Sequence, residues 1–178
     1  IRPGVFDIMA LLPESFPRID GVISLDLLED EIVTLDLADG TLVIGRPVLT
    51  KGSEGEMRLM REIGGAGLTV FARPHADTGS LYRLADSGNS GAFVLSPGAI
   101  AQLGKQSEIG SNVRVPLRLD GTAPQSVEAK VEDVIYDGAL NYCTLAQHRI
   151  TLDLKAERIW LAAPFLASSD RLTESVRM

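Results

Sequence analysis

Cysteine is almost missing from this chain. Cys143 is the single one in 178 residues, so no internal disulfide can form and apolar packing must supply the stability. Histidine is nearly as scarce, with only His75 and His148, and no His/Cys spacing resembles a metal site. No glycine loop precedes a helix carrying lysine, so phosphate-cradling chemistry is not indicated. No metal and no cofactor are therefore expected. Positive charge is in the minority. The net charge is −7 and the isoelectric point about 4.8, with no local basic patch, which argues against a nucleic-acid surface. No apolar run approaches the ~20 residues of a membrane span. Nothing at the amino end reads as a signal peptide, which leaves the compartment open.

Apolar residues make up 45% of the chain, enough for the core of one ordinary domain or two small ones. The strongest internal signal is a repeat. Ile19–Ile44 aligns without gaps on Tyr136–Leu161. Asp20/Asp137, Gly21/Gly138, Leu28/Leu145 and Thr34-Leu35-Asp36-Leu37/Thr151-Leu152-Asp153-Leu154 are identical, and Val33/Ile150, Leu42/Ile159 and Ile44/Leu161 stay apolar. Chance β-hairpins share alternation, but not an ungapped match through Asp-Gly and Thr-Leu-Asp-Leu. We read two occurrences of one structural unit. The second has Leu68–Ile135 ahead of it; the first has only residues 1–18. The first unit is therefore expected to lack its front half.

The stretch 81–96, LYRLADSGNSGAFVLS, is where chemistry is most concentrated. It runs apolar, turns at Asp86-Ser87-Gly88, and becomes apolar again at Ala92–Leu95. A carboxylate at the end of an apolar strand is costly to bury without hydrogen bonds, which the Ser87 hydroxyl and the Gly88 backbone could supply. A plain loop aspartate making an Asx-turn is the competing reading.

An apolar strand, Asp-Ser/Thr-Gly, a small polar residue and Ala-Phe-Val-Leu-Ser together resemble the active-site loop of retropepsin-like aspartic proteases, closest to bacterial single-domain and tandem-domain forms. Asp86, Ser87 and Gly88 match position by position. The repeat carries the resemblance further, because similar proteases end in Asp-Gly, two apolar residues, Gly, apolar, Asp, apolar, Leu and a two-strand hairpin. Val22-Ile23-Ser24-Leu25-Asp26-Leu27-Leu28 departs at Ser24. Asp137-Gly138-Ala139-Leu140-Asn141-Tyr142-Cys143 departs at Asn141 and Cys143. The family glycine lets backbones pass closely, and asparagine tolerates unusual backbone angles better than most residues.

The resemblance implies an all-β fold: a retropepsin-like (acid protease) β-barrel with short helices, plus a partial second copy. Residues 1–50 would be the C-terminal half of a first unit, 51–67 a linker helix, 68–164 a complete domain and 165–178 a tail. It implies an aspartic endopeptidase acting on peptide or protein substrate, with Asp86 catalytic, Ser87 pinning two loops together and Gly88 completing the motif. The chemistry needs two carboxylates ~3 Å apart sharing one proton. The second Asp would come from another chain or from a segment upstream of Ile1, giving a dimer or pseudo-dimer. A periplasmic or secreted location is implied by resemblance alone. A catalytically inactive peptide-binding or dimerisation module of the same fold is the alternative.

Other elements follow from pattern. Val5–Leu12 is a strand candidate, Gly21–Leu28 an apolar turn and helix, and Glu31–Leu37 and Thr41–Ile44 are strands around Asp39-Gly40. Ser53 caps a helix over Glu54–Ile63 with Met57, Met60 and Ile63 at helical spacing. Leu68–Ala76 and Leu81–Ala85 form a hairpin. Asp77-Thr78-Gly79 in its turn spells the protease motif again, but it follows Arg73-Pro74-His75 rather than an apolar strand, and is read as turn chemistry. Pro97–Leu103 is a short helix, Gln106–Arg118 a hairpin around Gly110-Ser111-Asn112, and Val127–Ile135 a strand. Cys143 and His148 are too close in sequence for a dyad, and a buried structural thiol is expected. Asp36 and Asp153 are read as solvent-facing or hairpin-fixing, and Trp160 as packing.

Overall fold

Leu68–Pro74 alternates buried and half-buried residues along its whole length, as one face of a strand packed on a core should. A computed structural model describes residues 8–11, 13, 15, 18–20, 23–45, 53–61, 67–75, 80–119 and 123–163. The strands are β1 Ile32–Asp36, β2 Thr41–Ile44, β3 Ser53–Arg61, β4 Leu68–Pro74, β5 Arg83–Ala85, β6 Phe93–Leu95, β7 Asn112–Leu117, β8 Gln125–Val131, β9 Gly138–Leu140, β10 Arg149–Asp153 and β11 Arg158–Ala162. Two short helices, α1 Pro97–Gln102 and α2 Tyr142–Leu145, and two 3-10 turns, Ile8–Leu11 and Leu25–Leu28, complete the list. The all-β expectation holds. The strands form one eleven-stranded sheet in the order β2-β1-β10-β11-β3-β4-β5-β9-β6-β8-β7. Among the described residues that sheet is open, where a closed barrel was expected.

One apolar cluster runs through it, joining Val33 of β1 to Met57, Leu95, Ile100, Val131, Leu140 and Leu161. β1 and the Leu25–Leu28 turn thus share a core with the rest of the sheet. α1 begins as its sequence suggests, with the Ser96 hydroxyl accepting from Ala99 N (3.1 Å) and Pro97 at the first position.

Four local expectations change. Glu54–Ile63 is not a linker helix: Ser53–Arg61 is strand β3, paired antiparallel with both β11 and β4. The methionine spacing misled, because Met57 is buried while Met60 is half exposed, and the inward residues are Gly55 and Met57 at strand period. Gly55 is required there, since a Cβ would come within 2.6 Å of Arg73 O. The hairpin expected over Gln106–Arg118 is instead β7 paired with β8. β8 ends at Val131, with Ile135 fully exposed beyond it. Of the Val5–Leu12 strand candidate, Ile8–Leu11 is a 3-10 turn, and the remainder lies outside the described residues. So do the Asp77-Thr78-Gly79 turn and the 165–178 tail.

The repeated segments fold alike, at the 117-residue offset that separates Thr34 from Thr151. Leu25–Leu28 corresponds to α2, β1 to β10 and β2 to β11, with the same pairing: Val33↔Ile44 matches Ile150↔Leu161 and Leu35↔Leu42 matches Leu152↔Ile159. Asp36 Oδ1 accepts from Asp39 N (3.1 Å) and Asp153 Oδ1 from Ala156 N (2.9 Å), so both aspartates fix their hairpin turns. The next residue in each turn has positive φ, Gly40 at 65° and Glu157 at 51°. The two hairpins also meet each other. β1 pairs antiparallel with β10, and Thr34 lies opposite Thr151, the axis of a local two-fold. Their hydroxyls are buried and 3.0 Å apart. The symmetry breaks at Asp36, which faces the buried Arg149, whereas Asp153 faces Ile32. Burial pushes the Arg149 guanidinium below its ordinary pKa, and Asp36 opposes the shift.

Thr34→Val leaves the Thr151 hydroxyl buried without its partner and should cost ~1–3 kcal/mol in urea unfolding. Thr34→Val with Thr151→Val should cost less than the sum of the single variants. Additive losses would show that the two hydroxyls do not interact.

Candidate active site

β5 and β6 are joined by the loop 86–92, yet they do not pair with each other. β9 lies between them, parallel to β5 and antiparallel to β6. The loop therefore spans a third strand, at the end of β5 where Asp86 emerges. Apolar residues on both sides drive this local fold: Phe93, Val94 and Leu95 are all buried, as are Ala139 and Leu140. Arg83 is fully buried, with its guanidinium 6.0 Å from the centre of the Phe93 ring.

The crossing is tight. A Cβ on Gly138 would collide with Val94 O and lie 2.9 Å from Leu95 Cδ2. Close backbone approach thus falls on Gly138, three residues before the position at which the family pattern places its glycine. Asn141 has ordinary extended angles (φ −81°, ψ 171°), so tolerance of unusual angles is not its use. Its side chain is a clamp. Oδ1 accepts from Thr144 N (3.1 Å) and Thr144 Oγ1 (2.7 Å), capping α2. Nδ2 donates to Gly91 O (2.5 Å) on the Asp86 loop.

Backbone bonds complete the fixation. Asp86 N donates to Leu140 O (3.0 Å), Tyr142 N to Asn89 O (2.8 Å) and Asn89 N to Asp86 O (3.2 Å). Gly91 N donates to Asn89 Oδ1 (2.8 Å). The Asp86 side chain is half-buried, and its Oδ1 accepts from Gly88 N (3.2 Å). This is the Asx-turn of the competing sequence reading. Among the described residues, Oδ2 has no hydrogen-bond partner, and the exposed Ser87 hydroxyl has none either. Of the two groups expected to fix Asp86, Gly88 N does so, and within this chain the loop is held by Asn141 and Tyr142.

The strand that delivers Asp86 is held at its start as well. Asp137 Oδ2 accepts from Tyr82 N (2.7 Å), and Asp137 O from Ser96 N (2.9 Å), so one residue ties the entries of β5 and α1. The Tyr82 hydroxyl donates to Glu56 Oε2 (3.0 Å), and its ring lies 4.4 Å from the Arg58 guanidinium. Glu56 also pairs with Arg73.

Cys143 is exposed, not a buried thiol, because the first turn of α2 points it to solvent. His148 is buried, with Nδ1 3.0 Å from Thr144 O. The described residues contain no group of three or more potential metal ligands and no helix long and apolar enough to cross a membrane. Protein-family models, curated proteins and solved structures were compared with the chain, and none matches it.

Sequence reasoning missed Gly138 and Asn141 as structural determinants. Gly138 was visible as part of the repeated Asp-Gly. The clamp was not, because it joins residues fifty positions apart.

Asn141→Ala should remove both cap and clamp, lowering stability by ~1–2 kcal/mol and accelerating amide exchange across residues 86–91. Asn141→Asp keeps an acceptor for the cap but loses the donor to Gly91, so it should loosen the loop while preserving α2. Equal exchange in Asn141→Asp and the parent would remove the clamp.

The Tyr82 hydroxyl bond holds the Glu56 carboxyl below its ordinary pKa; desolvation opposes it, and Arg73 and His75 add to the lowering. A carboxyl with a depressed folded pKa stabilises above its unfolded value and loses that contribution as pH falls through the folded one. Glu56→Gln should therefore flatten the acid limb of the stability–pH curve below about pH 4.5. An unchanged limb would show that the pairing adds nothing.

Proposed function

We propose that this chain is an aspartic endopeptidase of the retropepsin-like type, with Asp86 as one of two catalytic carboxylates. The carrying observation is the setting of Asp86. It ends a strand, half-buried, on a loop clamped from β9 and α2, with one oxygen fixed by Gly88 N and the other without a hydrogen-bond partner among the described residues. A carboxylate held this way has one oxygen available for a water or for a second carboxyl. Two such carboxyls at close range share one proton, because two like charges that near each other cannot both ionise. The ionised member takes a proton from the attacking water, and the protonated member donates to the scissile carbonyl. Peptide would bind extended, and the second Asp comes from a partner half in a dimer or pseudo-dimer. The matched helix–hairpin segments around Thr34 and Thr151 support that pseudo-symmetric reading.

A second reading, a catalytically inactive peptide-binding or dimerisation module of this fold, draws support from the Asx-turn at Asp86 and from Asn141 at the family glycine position. Strand addition needs only a free sheet edge, and among the described residues β7 is an edge strand.

The test is an unfolded protein substrate incubated from pH 3 to 8 with the chain and with Asp86→Asn, with fragments followed by mass spectrometry. The expected result is cleavage that falls by at least ~10²-fold in the variant. Cleavage indifferent to Asp86→Asn overturns the assignment. No cleavage by any form, including one supplied with the partner half described next, favours the binding module.

A further inference from the structure

The matched segments differ in what covers them. Ile23 is 75% exposed, Leu42 52% and Ile44 47%, while their counterparts at the 117-residue offset, Leu140, Ile159 and Leu161, are 1%, 1% and 0% exposed. Leu27, on the Leu25–Leu28 3-10 turn, is also exposed. The two hairpins fold and pair alike and should bury the same residues. They do not, because β10–β11 and β9 lie against β3, β5 and β6, and nothing equivalent lies against the first segment among the described residues. β11 is paired on its far side by β3, from Arg158↔Glu56 to Leu161↔Ser53. Among the described residues β2 is an edge of the sheet.

We propose that the face formed by Ile23, Leu27, Leu42 and Ile44, with the free edge of β2, docks a polypeptide half-unit built like β3–β6 of this chain. Its first strand would run antiparallel to β2, as β3 does to β11. Its Asp-bearing loop would donate the Asp N–H to Ile23 O, as Asp86 N does to Leu140 O. This deepens the protease reading, on which the role of the docked loop rests, because the docked half would carry the second catalytic Asp. The docking itself rests only on the exposure difference. A second folded copy of this chain does not fit the role, since its own β3–β6 is already occupied by its own β9 and β11. Scattered exposed apolar residues need no explanation, but Ile23, Leu42 and Ile44 are set apart by having buried counterparts in the same molecule.

The probe is residues 53–135 of this chain, added as a separate polypeptide to the full chain. Amide exchange at Thr41–Ile44 should slow on the order of tenfold, and alkylation of a Leu42→Cys thiol in a Cys143→Ser background should slow with it. Leu42→Glu with Ile44→Glu should abolish the protection. A folded probe that leaves both readouts unchanged overturns the proposal. If the probe does not fold, a photoreactive benzoyl-phenylalanine at position 42, introduced into the chain in its own cells, decides instead. A crosslink to a polypeptide carrying an Asp-Ser/Thr-Gly loop supports the docking, whereas a crosslink to a second copy, or none, overturns it. Protection without proteolysis keeps the docking and removes the catalytic reading. Proteolysis by the chain alone, with Thr41–Ile44 still open, removes the docking and keeps the catalysis.

Discussion

Three residues, Gly138–Leu140, hold the middle of the sheet together. Among the described residues, β9 is the sole link in the strand order between β5 on one side and β6 on the other. Without it the sheet separates into β2–β1–β10–β11–β3–β4–β5 and β6–β8–β7, and the backbone groups of buried strands lose their partners. The link exists because the backbones can nearly touch. Gly138 has no Cβ, and the space that one would fill belongs to Val94 O and Leu95. A single hydrogen atom in place of a side chain therefore sets both the continuity of the core and the position of Asp86.

The same strand explains why a loop rich in Ser, Asn and Gly can hold a defined shape. Loops of that composition are ordinarily free to move. Here the exit of β9 supplies Leu140 O to Asp86 N, and Asn141 and Tyr142 reach across to Gly91 O and Asn89 O. Asn141 serves two elements at once, with its oxygen on α2 and its nitrogen on the loop. Helix start and loop shape are thereby coupled through one amide. Glycine at this position could approach as closely but could make neither bond.

The paired hairpins show how a repeat is used unequally. Their shared features are local: the Asp-fixed turn, the positive φ that follows it and the same ladder. At their junction the threonine pair is symmetric, and satisfying both hydroxyls together avoids the cost of burying either alone. Asp36 opposite Arg149 is where the two-fold fails. A buried cation on one side only, and an apolar face exposed on one side only, show that the two hairpins occupy different environments although they fold by the same rules.

Which parts of this were legible in the sequence follows from the range of the forces involved. The hairpin around Asp39-Gly40, the α1 cap at Ser96 and the equivalence of the two repeated segments were readable, because turn chemistry, capping and strand alternation act within a few residues. β3 was not, because methionines at helical spacing were outweighed by two neighbouring strands that needed a partner. Cys143 was misplaced, because the direction of a side chain on a short helix depends on what the helix packs against. Asp86 stands in the strand–turn–strand context that its sequence indicates, and its Asx-turn is as local as that context. The sequence by itself determined the β character of the chain, its repeat and the turn that carries Asp86. Only the tertiary structure decided that β9 would pass between β5 and β6, that Asn141 would clamp the loop, and that Ile159 and Leu161 of one hairpin would be buried while Leu42 and Ile44 of its counterpart stayed exposed. Each of those depends on contacts between residues far apart in the chain, which no local pattern records.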